Sequence, residues 1–260
     1  MLAAPDTPTS FVPSAAEPPG RPLVQRWAEY PPEAHAVWGT LYARRMATLA
    51  DTGSRAVLDG IDAIGLRPDA VPDLRAVNGR LALRTGWSAY AVPGYLPAPA
   101  FFASLAARRF PTTITVRSRA QLDYLPEPDI FHDVFGHVPL HADPTFATCL
   151  QRFGALGLRA ETEAQVTALA RLFWFTVEFG LVREEGAVKV YGSGLVSSHA
   201  DAANALGDGC ERRPFDLDAV LAQPFDMDRL QDVLFVLESF EQLWEAVREV
   251  PGRIGLDGVG

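Results

Sequence analysis

Apolar positions recur with a helical period through most of this chain. After Pro31-Pro32, Val37, Trp38, Leu41, Tyr42 and Leu49 fall at three- and four-residue spacings, which predicts an amphipathic helix stopped by Gly53. A second helix is predicted from Arg55 to Ile64, and a third from Ala98 to Arg109, opened by Pro97 and Pro99. Ile114 and Val116, with polar residues between them, predict a short strand. Thr162 and Gln165 form a capping box ahead of QVTALARLFWFTVEFG. There Val166, Leu169, Ala170, Phe173 and Val177 make the main apolar stripe, and the helix is apolar nearly all round, so it is expected to be central and buried. LVREEGAVKVYGSG predicts a hairpin turning at Glu185-Gly186. A last helix is predicted from about Asp228 to Val250, with Leu230, Val233, Leu234, Leu237, Phe240 and Trp244 on one face and Pro251 ending it. The expected fold class is mainly α with a few short β-strands.

The first 22 residues are rich in Pro, Ala, Ser and Thr and poor in large apolar groups, which predicts a disordered arm ahead of one domain over 23–260. That length suits one large domain or two small ones, and the 48% hydrophobic and 21% charged content is ordinary for a globular protein. A net charge of -9 argues against nucleic acid or an anionic membrane as the main partner. The N-terminus lacks a basic region and a continuous apolar run, and no stretch is apolar enough to span a membrane. Cys149 and Cys210 are the only cysteines and lack CxxC spacing, so reduced thiols in a cytoplasmic protein are expected.

Candidate chemistry concentrates in YLPEPDIFHDVFGHVPLH, Tyr124 to His141, which holds three of the five histidines in an apolar setting. A buried imidazole needs a hydrogen-bonding partner or a metal ion. His132 and His137 are five apart, about 140° on a regular helix. They reach one ion only if the helix ends or distorts between them, and Gly136 and Pro139 supply such a break. His141 reads as a surface residue. Glu178 follows Leu172, Phe173, Trp174, Phe175 and Val177, so its carboxylate must be paired, neutralised or metal-bound. Arg171 is the local candidate for a plain ion pair. Two histidines and a carboxylate would form the facial triad of non-haem iron(II). Zinc hydrolases use the same ligand types, but HExxH is absent.

YLPEPDIFHDVFGHVP, WFTVEFGL and VYGSGLVSS, in this order and at these spacings, closely resemble the pterin-dependent aromatic amino acid hydroxylases, most of all the short bacterial phenylalanine 4-hydroxylases. The resemblance runs from about Trp27 to Val250 and implies a catalytic domain of that type. It implies that His132, His137 and Glu178 hold a mononuclear iron(II). VPGYLPAPAFF resembles the family's pterin loop. This implies backbone contacts to a tetrahydropterin at Val92, Gly94 and Leu96, and stacking by Phe101, which would otherwise read as a core residue. Asp133 stands where many relatives have Glu and is implied to approach the pterin through water. Phe173 replaces a common tyrosine, losing any hydroxyl contact made there.

For the amino acid substrate, Arg117 matches the arginine that anchors the carboxylate, in place of a solvated strand-end charge. Ser197 is implied to help there and to support an iron ligand. Tyr124, Pro128, Trp174, Phe179 and Gly194 match positions around the aromatic ring. Leu125 departs from the threonine of many relatives, and Met227 is placed where tyrosine-using members carry an acid, which favours phenylalanine. The implied reaction hydroxylates L-phenylalanine to L-tyrosine with O2 and a tetrahydropterin, the first step of phenylalanine catabolism. Tryptophan, tyrosine or the meta position of phenylalanine are the alternatives. No segment resembles the animal enzymes' regulatory domain, and PGRIGLDGVG cannot form a tetramerising coiled coil, so a monomer is expected.

Overall fold

The computed structural model describes residues 23–123 and 127–256. The expected disordered arm, Tyr124 and Leu125 lie outside the described residues.

The fold is mainly α-helical with short strands, as the apolar spacing predicts. Helix α1 spans Pro32–Thr52, with Pro32 at its first turn, and buries Val37, Trp38, Leu41 and Leu49. Helix α2, Arg55–Ala63, is capped by the Ser54 hydroxyl, which accepts from Val57 N–H. Helix α3, Leu74–Arg84, carries no strong sequence signal and leads into strand β1, Ser88–Ala91. Helix α4, Ala98–Ala106, stops three residues short of the expected Arg109, because Arg108 turns into the left-handed region at φ 55°. Strand β2 follows at Arg109–Thr112 and pairs parallel with β1. The strand expected at Ile114 and Val116 therefore sits earlier; both side chains are buried, but they follow the ladder.

Helix α5, Pro144–Gly157, is capped by Asp143, which accepts from Phe146 N–H. It presses on α4, where a Cβ at Gly154 would come within 2.4 Å of Ala106 N. Helix α6, Glu163–Phe173, opens at the predicted Thr162–Gln165 capping box. Within it only Leu169 and Leu172 are buried, so it is not enclosed all round as expected; burial is continuous only in the turn that follows, at Phe175, Thr176 and Val177. Strands β3, Leu181–Glu184, and β4, Ala187–Val190, form the expected hairpin. Glu185 and Gly186 both take positive φ, as a two-residue turn matching the strand twist requires.

The short helix α7, Ser193–Ser197, is followed by α8, His199–Leu206, strand β5, Glu211–Pro214, and α9, Leu217–Ala222. Next comes a departure from expectation: Val233–Leu237 is strand β6, and the last helix, α10, begins only at Phe240. Strand β6 lies in the order β4-β3-β6-β5, parallel to both β3 and β5. Pairing on both edges satisfies its backbone, and Leu234, Phe235, Val236 and Leu237 are all buried. Pro251 does not end α10, which runs to Ile254 and closes on Gly255 at φ 71°.

Candidate metal centre

The conflict between His132 and His137 is resolved by the shape of their helix. Phe131–His137 is a π-helical turn, in which hydrogen bonds close over five residues rather than four. Residues five apart then lie one above the other, so both imidazoles face one point. The helix widens; it does not end at Gly136. That glycine is needed for a close approach instead, since a Cβ there would meet Ser193 O at 2.8 Å. Pro139 falls in a following 3-10 turn, Val138–Ala142. Asp129 caps the π-helical turn: its Oδ1 accepts from the N–H groups of Phe131 and His132, both at 3.1 Å.

Glu178 ends a second π-helical turn, Trp174–Glu178, which continues α6 and is closed by Phe179 N–H donating to Trp174 O at 2.8 Å. Arg171 is not its partner, because that guanidinium donates to Leu221 O. Glu178 Oε1 lies 3.4 Å from His132 Nε2 and Oε2 lies 3.2 Å from His137 Nε2. The two imidazoles stand edge to face, 88° apart. Two ligands each about 2.1 Å from one ion and at right angles sit about 3.0 Å apart, so this donor set fits three adjacent positions around a metal. Burial pushes Glu178 up, but His132 and His137, with hydrogen bonds from His137 and Ser193, outweigh it and hold the carboxyl down at about 2. The carboxylate is thus ionised and ready to bind a cation.

The surrounding bonds fix the ligands' orientations. Ser197 Oγ donates to Ser193 O at 2.8 Å, which leaves its lone pairs to accept from His132 Nδ1 at 3.0 Å. That arrangement keeps the proton on Nδ1 and frees Nε2 for a metal. Ser193 Oγ donates to Glu178 Oε2 at 2.9 Å. Gly194 lies against the same carboxylate: a Cβ there would meet Oε1 at 3.1 Å and the Phe179 ring at 2.9 Å. Ser193 carried no signal in the sequence beyond its place in VYGSGLVSS.

His141 is not a surface residue. It is 1% exposed, boxed by Trp87, Phe110 and Phe146, and its Nδ1 donates to His137 O at 2.9 Å. Burial pushes it down to about 3, helped by His137, so it stays neutral, and its Nε2 has no hydrogen-bond partner.

Arg117 is not a solvated charge either. Its Nε and Nη2 grip buried Asp129 at 2.8 and 2.9 Å, which ties it to the backbone of His132. Asp133 is buried, and its Oδ2 accepts from Thr113 N–H and Oγ1 at 2.6 and 2.8 Å; burial raises its pKa, against the pull of His132, Thr113 and His137. Phe101 packs edge-on to Phe173, 5.4 Å away, and Phe173 in turn lies 6.4 Å from His137. The loop holding Val92, Gly94 and Leu96 runs on from β1, with Val92 N–H donating to Thr112 O at 2.9 Å and Val92 buried, while Tyr95 is exposed. Trp174 packs on Phe179 at 4.7 Å and on Phe225 at 4.5 Å, and its Nε1 donates to Gln231. Pro128 is half-buried beside Thr113, its carbonyl 3.4 Å from Thr113 Oγ1. Met227 is 74% exposed and does not sit in an apolar pocket.

Comparison with known proteins bears on the same site. Residues 21–255 match the family described as biopterin-dependent aromatic amino acid hydroxylase. A phenylalanine-4-hydroxylase of Caulobacter vibrioides is 43% identical over 246 residues, covering 93% of this chain and 84% of the relative. The structure of Chromobacterium violaceum phenylalanine hydroxylase with bound oxidised Fe(III) superposes with a TM-score of 0.87 at 39% identity, covering 90% of this chain and 86% of that one. A second structure of that enzyme, with iron(III) and 7,8-dihydrobiopterin, gives 0.85 at 39%, covering 91% and 87%. With a donor triad of this geometry and a match over nearly its whole described length, the chain belongs to the biopterin-dependent aromatic amino acid hydroxylases.

Proposed function

We propose that this protein is a phenylalanine 4-monooxygenase, converting L-phenylalanine to L-tyrosine with O2 and a tetrahydropterin. The observation that carries this reading is the convergence of His132, His137 and Glu178 at the spacing of three adjacent iron ligands, in a chain of this family. Iron(II) bound there, with a reduced pterin, supplies the activation of dioxygen that ring hydroxylation needs. The protein's own groups bind, orient and exclude water. His132, His137 and Glu178 would hold the iron by three donors, which would leave it free to take up dioxygen. Ser197 and Ser193 hold His132 and Glu178 in their binding orientations.

In this reading Arg117, braced by Asp129, receives the substrate carboxylate, since two of its nitrogens are already fixed and the fork is preorganised. Trp174, Phe179, Gly194 and Pro128 bound the aromatic ring. Val92, Gly94 and Leu96 present backbone groups to the pterin, Phe101 stacks on it, and Asp133 contributes through water. Residues 23–260 act as one catalytic unit, monomeric and cytoplasmic. Two free, buried cysteines support that placement, since thiols stay reduced in such a compartment.

The test is turnover of anaerobically iron-loaded protein with a tetrahydropterin, offering phenylalanine, tyrosine and tryptophan in parallel. Tyrosine formed from phenylalanine, in step with pterin oxidation, is expected. Preference for another ring, or product hydroxylated at the meta position, would move the assignment within the family.

A further inference from the structure

Arg45 is 2% exposed, yet none of the described carboxylates pairs with it. A guanidinium taken out of water costs free energy unless its donors are satisfied. Here each nitrogen makes one bond, all to neutral groups: Nε donates to Val196 O at 2.9 Å, Nη2 to Leu195 O at 3.0 Å and Nη1 to Thr48 Oγ1 at 3.1 Å. The two carbonyls belong to the last turn of α7, where an α-helix leaves its C=O groups without partners and where positive charge is favoured.

Helix α7 is five residues long and cannot hold its shape unaided. It is also the element that orients the metal ligands. Ser193 at its start bonds Glu178, Ser197 at its end faces His132, and Ser193 O abuts Gly136 between the histidines. Arg45 reaches this turn from the middle of α1, more than 140 residues earlier in the chain.

We propose that Arg45 is a positioning residue for the metal centre: a buried cation that clamps α7 and so fixes both serines against His132 and Glu178. This rests on the iron-binding reading above. It predicts that removing the clamp weakens metal binding through the serines rather than through the fold at large.

The test is anoxic titration of the metal-free protein with Fe(II) by calorimetry, at a temperature well below unfolding. Arg45→Met and Arg45→Gln should each raise the Fe(II) Kd about tenfold or more, the range for loss of groups that orient ligands. Arg45→Lys, which keeps the charge, should recover part of it. In a Ser193→Ala/Ser197→Ala background, adding Arg45→Met should change Kd by less than about threefold, because the route is already cut. If Arg45→Met fails to fold, Arg45→Gln and Arg45→Lys carry the comparison. A folded Arg45 variant with unchanged Kd, or full additivity with the serine pair, overturns the proposal. Failure of the wild-type protein to bind Fe(II) would instead overturn the functional reading beneath it.

Discussion

Asp129 has no exposed side-chain surface and accepts from Arg117 and from the backbone of Phe131 and His132. Truncating Arg117 to alanine would therefore strand a buried carboxylate, at a cost of about 3–5 kcal/mol, and would blur any effect on substrate. Arg117→Lys keeps a cation facing Asp129 but loses the fork, both toward Asp129 and, in this reading, toward the substrate carboxylate. It should raise KM for phenylalanine about tenfold, the loss of one good bidentate contact, with little change in iron affinity. An unchanged KM in steady-state kinetics would remove Arg117 from substrate binding. His141 makes a different prediction. Between about pH 6.5 and 3 the unfolded chain protonates this imidazole and the folded one does not, so its contribution to stability falls as pH falls. The box around it is aromatic, and His137 is the titratable group facing it. His141→Phe loses a hydrogen bond at pH 7 but escapes the acid penalty. By pH 5 the gap should shift in the variant's favour by about 2 kcal/mol, at about 1.4 kcal/mol per unit. Denaturant melts of metal-free protein at both pH values would read the shift; parallel pH profiles would refute it.

Among the elements, the π-helical turn at Phe131–His137 and α7 meet with backbone against backbone. Gly136→Ala would place a methyl 2.8 Å from Ser193 O, with no flexible side chain to yield. We expect a loss of about 1–3 kcal/mol by thermal melting, together with weaker Fe(II) binding. A variant with wild-type stability would show that α7 can back away. Which elements were legible follows from how local their signals are. The capping box of α6, the Glu185-Gly186 turn and the stripe of α1 are carried by neighbouring residues, and each appears where its residues place it. Strand β6 is set by partners distant in sequence. Leu230, Val233, Leu234 and Leu237 also satisfy a helical spacing, and the run VLFVL, apolar on both faces as a central parallel strand requires, was the better guide. The ligands His132, His137 and Glu178 could be picked out by residue type and context. The π geometry that unites them has no propensity signature, and neither Arg45 nor His141 shows in sequence that it is buried.

For the molecule as a whole, metal binding and folding are linked. A ligand held only by the native state at a hundred times its Kd adds about 2.7 kcal/mol. For a domain of this size that is a rise in Tm of roughly 5–10 °C. Wild-type protein should show the rise on anoxic addition of Fe(II), and Glu178→Ala should fold without it. A Glu178→Ala protein that still gains thermal stability would break the triad. The strand order carries one more consequence, for biosynthesis. Glu178 leads through Gly180 into β3, and β3 is braced on one side by its hairpin partner and on the other by β6, the last strand among the described residues. A nascent chain thus holds all three iron ligands long before it holds the strand that secures one of them. The centre is therefore completed only after β6 has been made, and iron is best captured from that point on.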